Sequence, residues 1–495
     1  MVLIIFSTQV ACNAQEEEQV EVDQPADAEI TTAISSDLIT TRGIDPDIIS
    51  VSTQNGIVTL TGTTDNILTK QRAARVASTT RGVRSIVNQI VVEGDKTDEA
   101  LADDIESALL SDPATDRWEI ESSVEDGIVK LTGVVDSWQE KELVATITKG
   151  VDGVEGIIND ISVDYTVDRT DMEIESEIES SLAWNSRIDA GLLEVDSENG
   201  VVTLSGSVGS LYEKQLATSI AHVAGITEVV TNDLEVKSWL REDMKRTDFL
   251  ADKSDADIRE AILDAFDQHP RVNEDLLYVE VENGSVTLTG TVTNLKAARA
   301  AAQVVKNTHG VLLIDNKMAV SNEIVVEPDM NYTDVEVKED ILEALIRDPY
   351  VTASDIDVRV EDGKVTLSGT TDSYFEKYEA DEVTSRVNGV IEITNNITVD
   401  YEELVYEPMF MDWDVIAFDY DFVAPQNLTD NELKAAVNEE LLWSPFVSTT
   451  NVDVVVENGE VTLKGEVISL NAVFEATEEA YEAGATLVNN NLSVM

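Results

Sequence analysis

Apart from its many carboxylates, this 495-residue chain has few residues of types that could carry out catalysis or hold a metal. Cys12 is the only cysteine, so the chain can form neither an intrachain disulfide nor a metal site built from several thiolates. The three histidines, His222, His269 and His309, are far apart, and no glycine-rich phosphate loop, nucleophile elbow or His-Glu-x-x-His motif is present. We therefore predict that the protein is not an enzyme and that it binds no metal or cofactor.

Cys12 instead indicates a lipid anchor. The apolar segment 2–6 is followed by Gln9-Val10-Ala11-Cys12, and an apolar stretch that ends in a small residue and a cysteine is typical of a lipoprotein signal. We interpret residues 1–15 as a signal or lipoprotein-like segment with lipid attachment at Cys12, and residues 16–26 as an acidic tether. An ordinary secretory signal is the alternative, because no basic residue precedes the apolar run. Both interpretations predict a periplasmic protein, and the first predicts an outer-membrane lipoprotein.

The strongly negative net charge limits the kinds of molecule that this protein can bind. The 98 acidic and 33 basic residues give a net charge of −65, which excludes general nucleic-acid binding because phosphate backbones are bound by lysine and arginine. Such a surface suits a salty environment, where charges are screened over a few ångströms; a role in binding cations is the alternative. Beyond the N-terminal segment, no apolar run approaches the roughly 18 residues of a membrane-spanning helix, so we predict no transmembrane helix.

One stretch of the chain is basic in spite of this charge, and a single acidic residue, Asp65, lies near it. The stretch comprises Lys70, Arg72, Arg75, Arg81 and Arg84. Arg72 and Arg75 are three residues apart and share one face of a predicted helix. Basic residues contribute about 1 kcal/mol each near an anionic bilayer, so we predict that this stretch binds membrane phospholipid beside the anchor at Cys12. The alternative is a solvated helix surface whose arginines pair with acidic neighbours.

A phrase that recurs six times determines how these residues are positioned. It reads Asn/Asp-Gly-x-Val-x-Leu-x-Gly. The Asn-Gly or Asp-Gly pair favours a two-residue type I′ hairpin turn, and the alternation that follows is that of a strand with one buried face. The predicted structural hairpin glycines are Gly56, Gly62, Gly127, Gly133, Gly200, Gly206, Gly284, Gly290, Gly363, Gly369, Gly459 and Gly465.

Each hairpin is flanked by two predicted helices. In five repeats the upstream helix begins at an Asp that follows Thr or Ser, as at Asp98, and we interpret this Asp as the N-cap. Apolar residues then recur on one helix face, as at Leu101, Ile105 and Leu109. The downstream helix ends at a further glycine, and a strand containing an Asn follows. In the third repeat this residue, Asn232, is displaced by one position, which predicts a bulge or a register shift.

The fold class predicted from this order is α+β, with six tandem two-layer modules of the type αββαβ. Each module should have a three-stranded mixed sheet that two helices cover on one face. We expect modules that fold separately on short linkers. Modules 1 to 6 are predicted at residues 27–94, 96–166, 169–237, 253–322, 332–401 and 428–495. Linkers are predicted at 238–252 and 402–427, the second of which is rich in acidic and aromatic residues.

The hairpin phrase, the order of elements and the later Gly-Val…Asn pattern resemble the BON domain, a bacterial osmotically inducible and nodulation domain. The resemblance covers all six repeats. It implies a periplasmic or outer-membrane-associated protein, a module that binds phospholipid or envelope partners, and no catalytic residues. We therefore expect a non-enzymatic multi-BON envelope protein that binds membrane phospholipid or envelope proteins during osmotic or envelope stress. The alternative is a soluble periplasmic protein that binds cations or another ligand.

Overall fold

Six modules of similar structure make up the described part of the chain. The computed structural model describes residues 25–94, 96–165, 169–237, 253–320, 332–399 and 428–495, apart from 42–43, 46, 113, 116–119, 372, 445, 448–450, 458, 484 and 486. Within these residues there are twelve α-helices, two to a module, and one mixed sheet in each module. The predicted α+β class and the αββαβ order are confirmed.

Module 1 shows how the repeat folds. Its elements are α1 (Asp27–Thr40), β1 (Ile49–Gln54), β2 (Ile57–Thr64), α2 (Ile67–Thr79) and β3 (Ser85–Val92). The central strand, β2, is antiparallel to β1 and parallel to β3. Apolar residues one turn apart on α1, Ile30, Ile34 and Leu38, are buried in one cluster with Val58 and Leu60 of β2. The helices thus cover one face of the sheet, and the alternate residues of the strands form an outer face.

The other modules repeat this order with small differences in length. Module 2 has α3 (Asp98–Ser111), β4 (Ile120–Glu125), β5 (Ile128–Val135), α4 (Trp138–Lys149), β6 (Gly156–Asn159) and β7 (Ser162–Val163). Module 3 has α5 (Asp171–Trp184), β8 (Leu193–Glu198), β9 (Val201–Val208), α6 (Leu211–Ile220), β10 (Glu228–Val230) and β11 (Leu234–Val236). Module 4 has α7 (Asp255–Asp267), β12 (Leu277–Glu282), β13 (Ser285–Val292), α8 (Leu295–Lys306), β14 (Leu313–Asn316) and β15 (Ala319–Val320).

The last two modules have an uninterrupted third strand, as module 1 does. Module 5 has α9 (Asp334–Arg347), β16 (Ile356–Glu361), β17 (Lys364–Thr371), α10 (Tyr374–Arg386) and β18 (Glu392–Val399). Module 6 has α11 (Asp430–Trp443), β19 (Val452–Glu457), β20 (Glu460–Val467), α12 (Leu470–Glu482) and β21 (Leu487–Val494). In modules 2, 3 and 4 the third strand is divided into two segments, and both pair with the central strand.

The register shift predicted for the third module is present. Glu228 of β10 pairs with Val201, whereas Leu234 of β11 pairs with Gly206, so the third strand contains one extra residue between its two segments. The extra residue lies within 231–233, a turn between β10 and β11 that contains the displaced Asn232.

Each hairpin turn is tied to the first helix of its own module by an aspartate. In module 1 the Asp27 carboxylate accepts hydrogen bonds from the backbone N–H groups of Asn55 (2.8 Å) and Gly56 (2.9 Å). These two bonds lower the pKa of Asp27. The corresponding residues of the other modules are Asp98, Asp171, Asp255, Asp334 and Asp430.

The interpretation of these aspartates as N-caps is therefore wrong. In modules 2 to 6 the preceding Thr or Ser is the N-cap, as Thr97 is for α3, and the Asp is the first helical residue. The hydroxyl of the Thr or Ser N-cap accepts a hydrogen bond from a backbone N–H of the helix. The carboxylate of the following Asp can therefore accept hydrogen bonds from the hairpin turn. This repeated contact joins the first helix to the turn of the hairpin.

The modules do not stand apart on linkers as expected, because their helices pack against one another. The helix pairs in contact are α2 with α6, α8 with α10, α3 with α9 and α5 with α7. The cores of modules 1 and 3 form one continuous cluster. Between modules 4 and 5, Lys296 lies 2.5 Å from Glu382, and both side chains are almost fully buried. Burial opposes ionisation of Glu382, but Lys296, Arg386 and Arg299 hold its pKa at about 2.

Candidate functional site

The residues predicted to bind the membrane do not all lie on one surface of the structure. Cys12 lies outside the described residues. Arg72 points from α2 towards module 5, where its guanidinium carbon is 4.1 Å from the ring centroid of Phe375 and 5.2 Å from that of Tyr350. The Tyr350 hydroxyl is 3.1 Å from the Thr69 hydroxyl of the same helix. Arg72 therefore occupies a contact between modules 1 and 5, which favours a role in packing over the predicted contact with lipid.

The other four basic residues differ in exposure. Lys70 and Arg75 are half-buried on α2, and the charge of Arg75 acts on Tyr212 of module 3. Arg81 is half-buried in the loop after α2, and Arg84 is exposed at the start of β3. Only the last two therefore lie beyond the helix that packs on modules 3 and 5.

Arg84 stands at the hairpin end of the module 1 sheet. Its backbone N–H donates to the Gly56 carbonyl (2.8 Å). Its side-chain methylenes run so close to Gly56 that a β-carbon there would lie 3.0 Å from Cδ of Arg84. Asn55 and Gly56 have φ angles of 53° and 71°, the pair of positive values that a type I′ turn requires.

The outer face of the module 1 sheet carries no ionisable side chain. We call this surface the module 1 outer face. Several of its apolar residues are well exposed, including Ile57 at 43%, Val87 at 41% and Val91 at 54%. Its residues are Ser50, Ser52, Gln54, Ile57, Thr59, Thr61, Thr63, Ser85, Val87, Gln89 and Val91.

The outer face of every other module bears at least two carboxylates on its strands. In modules 2 and 4 these include Glu121 with Glu125 and Glu280 with Glu282. For modules 3, 5 and 6 the acidic residues are Glu194, Asp196, Glu198, Glu228, Glu235, Asp357, Glu361, Glu392, Asp453, Glu457, Glu460 and Glu466. A single uncharged sheet face is therefore a distinctive feature of a chain with a net charge of −65.

The module 1 outer face is bounded by opposite charges at its two ends. Arg84 lies at the hairpin end and Arg81 is three residues before it, whereas exposed Asp65 and Glu93 lie beyond the far ends of β2 and β3. An anionic surface would meet no carboxylate over the sheet itself and would meet cations at the hairpin end. The sequence carries this signal in the alternate residues of the strands, whereas the predicted membrane-binding stretch rests on the basic residues of α2 and the loop that follows it.

The histidines are not brought together by the fold. His222 of module 3 stacks on Trp138 of module 2 with ring centroids 4.1 Å apart, and burial lowers the pKa of His222. His309 is buried in module 4, where its backbone N–H donates to the Trp184 carbonyl. Within the described ranges, no group of three or more His, Cys, Asp or Glu side chains is arranged to hold a metal. No helix in those ranges is long and apolar enough to cross a bilayer.

Comparisons with known proteins agree on one family. A model of the BON domain matches six ranges of the chain, residues 26–94, 97–165, 170–238, 254–322, 333–401 and 429–495. Osmotically-inducible protein Y of Escherichia coli is 30% identical over 143 residues, which cover 27% of this chain and 71% of that protein. Outer membrane lipoprotein DolP of Haemophilus influenzae is 27% identical over 108 residues, which cover 21% of this chain and 56% of that protein.

One solved structure is similar over a smaller part of the chain. It is of CdsD, a structural protein of the type III secretion system of Chlamydia trachomatis. The match is 15% identical and covers 44% of this chain and 97% of that chain, with a TM-score of 0.12. A score this low carries no argument about structure or function.

Proposed function

Since this chain belongs to the BON domain family, we propose that it is a non-enzymatic envelope protein whose module 1 binds anionic phospholipid through its outer face. Its relatives include an osmotically-inducible protein and an outer membrane lipoprotein. The proposed setting is accordingly the periplasm and the outer membrane, under osmotic or other envelope stress.

The observation that carries the proposal is the uncharged module 1 outer face. A chain with a net charge of −65 is repelled by an anionic bilayer unless it presents a surface without carboxylates. Arg81 and Arg84 supply positive charge at the edge of that surface, and no described carboxylate forms an ion pair with either of them. Some exposed cations on other modules do have such partners, as Arg359 has Glu361 and Lys364 has Glu392.

A lipid on Cys12 would act together with this surface. About 15 residues separate Cys12 from the start of α1, so an anchored chain would keep module 1 near the bilayer. One acyl chain alone gives only marginal attachment, and a second, electrostatic contribution makes it stable. The proposed attachment therefore combines the Cys12 lipid with Arg81, Arg84 and the module 1 outer face.

The test measures binding of the full chain, with Cys12→Ser to remove any lipid, to sedimented vesicles of phosphatidylglycerol and phosphatidylcholine. Arg81→Gln with Arg84→Gln should weaken binding roughly thirtyfold, because each basic residue contributes about 1 kcal/mol. The matched control, Arg359→Gln with Lys364→Gln, removes two positive charges from the outer face of module 5 and should have little effect. Equal weakening by both pairs would show that only overall charge matters.

A second pair of variants tests the face itself. Thr59→Glu introduces a carboxylate at the centre of the module 1 outer face, and Thr366→Glu does so at the corresponding position of module 5; both threonines are half-buried. Only Thr59→Glu should reduce vesicle binding. If neither variant reduces it, the sheet does not contact lipid, and an envelope protein becomes the better candidate for the partner of module 1.

A further inference from the structure

A cavity of about 560 Å³ lies between module 3 and module 4. Its two main walls are α5 and α7, which face each other with small side chains. These are Ser176, Ser180 and Ser181 on α5, and Ala261 and Ala265 on α7. The volume falls within the roughly 300–1,000 Å³ of pockets that bind small molecules. Small residues on both helices thus leave a ligand-sized space between the two modules.

The floor of this cavity is built from backbone of both modules. The Ser186 N–H donates to the Asn307 carbonyl (2.7 Å), and the His309 N–H donates to the Trp184 carbonyl (2.9 Å). Asn185 and Thr308 form the bridge between these two bonds. The two modules are therefore joined directly through their backbones at the floor of the cavity.

The charges along the α7 wall are unbalanced. On the opposite wall, Glu177 already forms an ion pair with Arg169 and accepts a hydrogen bond from Gln268. Asp264 and Asp267 are exposed carboxylates that line the cavity from the last turn of α7, and no described cation forms an ion pair with either of them, although Arg187 lines the cavity as well. A carboxylate at a helix C-terminus is also disfavoured by the helix dipole. Positive charge placed in the cavity would offset both effects.

The crowding of carboxylates around Asp264 supports this view. Burial raises the pKa of Asp264, and the negative charges of Glu260, Glu177 and Asp267 raise it further. A bound cation would reverse that shift, because an opposite charge close to a carboxylate favours its ionised form.

The aromatic wall indicates what kind of cation would fit. Trp184 lines the cavity, and its ring already receives the Lys253 ammonium at 4.1 Å from the ring centroid. An indole ring attracts alkylammonium groups and packs against methylene chains. A bare metal ion fits less well, since within the described ranges no three carboxylates or other ligands converge for one.

We propose that the cavity binds an aliphatic polyamine. Its ammonium groups would lie near Asp264 and Asp267, and its methylene chain would lie along Ala261, Ala265 and Trp184. The serine hydroxyls of α5 can accept the remaining N–H donors. This site is separate from the module 1 outer face and does not depend on lipid binding.

Titration calorimetry of the full chain with spermidine, at about 150 mM salt to screen diffuse attraction, tests the proposal. We expect one saturable site. Asp264→Asn with Asp267→Asn should weaken binding by at least about tenfold, the equivalent of 1.4 kcal/mol. The control, Glu280→Gln with Glu282→Gln, removes the same charge from the outer face of module 4 and should leave the affinity unchanged.

A variant that fills the cavity separates specific binding from attraction to a negative surface. Ala265→Leu leaves the charge unaltered and should abolish the saturable site, with a melting curve recorded to confirm that the chain is folded. Equal loss of affinity in the aspartate pair and in the glutamate control would refute a defined site. So would unaltered binding by Ala265→Leu, or displacement of spermidine by equimolar Mg²⁺.

Discussion

Arg271 of module 4 and Asp112 of module 2 form a buried salt bridge with two parallel hydrogen bonds. Nη1 of Arg271 lies 2.9 Å from Oδ1 of Asp112, and Nη2 lies 2.8 Å from Oδ2. Only 6% and 5% of the two side chains are exposed. Burial alone would raise the pKa of Asp112, but Arg271 holds it below its usual value. The pair joins module 4 to module 2 through two residues that are 159 positions apart in the sequence.

Removal of one partner of this pair should be costly. Asp112→Ala leaves the Arg271 guanidinium buried without its counter-charge, and we expect a loss of about 3–5 kcal/mol in the free energy of unfolding. Urea denaturation followed by circular dichroism measures it. As a control, Asp160→Ala breaks the exposed pair between Lys130 and Asp160, which should cost less than about 1 kcal/mol. Similar losses in both variants would contradict the interface assigned to Arg271.

Arg72 should contribute to stability and not to lipid binding. Arg72→Gln removes the charge above Phe375 and Tyr350, which should cost about 0.5–2 kcal/mol. Vesicle sedimentation with the same variant should match the wild type, in contrast to Arg81→Gln with Arg84→Gln. If Arg72→Gln weakens vesicle binding and leaves the denaturation midpoint unchanged, the contact with module 5 does not persist in solution.

The two glycines of one hairpin phrase should differ in their tolerance of substitution. A β-carbon at Gly290, where φ is 119°, would lie 2.2 Å from the carbonyl oxygen of Leu276, the residue just before β12. At Gly284 the contacts would be less severe: Cγ of Leu312 at 2.8 Å, on a side chain that can move, and the Gly310 carbonyl oxygen at 2.9 Å. Both positions have strained φ for alanine, about 1–3 kcal/mol. Gly290→Ala should therefore lower the melting temperature more than Gly284→Ala. The reverse order would show that the close backbone oxygen at Gly290 is not what limits substitution.

The sequence predicted the modules well because their determinants are local. Turn residues, caps and apolar periodicity repeat in register, and each acts within about thirty residues of chain. Packing between modules depends on charged side chains that are expected at the protein surface from their residue type. Lys296 is an example: it is predicted as an exposed helix residue, but it is buried against Glu382. No local pattern shows which distant carboxylate will face a given lysine. Likewise, nothing in the sequence around Arg72 indicates that its guanidinium lies over Phe375 and Tyr350 of module 5.

The last prediction concerns the response of the assembly to pH. Burial and the negative charge of Glu440 of module 6 raise the pKa of Asp37, near the end of α1, to about 8. Burial and, to a smaller extent, the charge of Glu439 raise the pKa of Glu440 to about 7. In the unfolded chain both carboxyls titrate near their ordinary values, 3.8 and 4.5. The folded state therefore binds more protons than the unfolded state between about pH 4 and pH 8.

Stability contributed by these two carboxyls is present in full below about pH 4, falls as the pH rises to about 8, and is constant above that. The melting temperature should accordingly decrease between pH 5 and pH 8. Asp37→Asn keeps the side chain neutral and should make this decrease smaller, with its largest stabilising effect at pH 8. Asp196→Asn, on the outer face of module 3, removes an exposed carboxylate and should leave the slope unchanged. Parallel pH profiles for Asp37→Asn and the wild type would show that Asp37 titrates normally, in contact with water, and that module 6 does not approach α1.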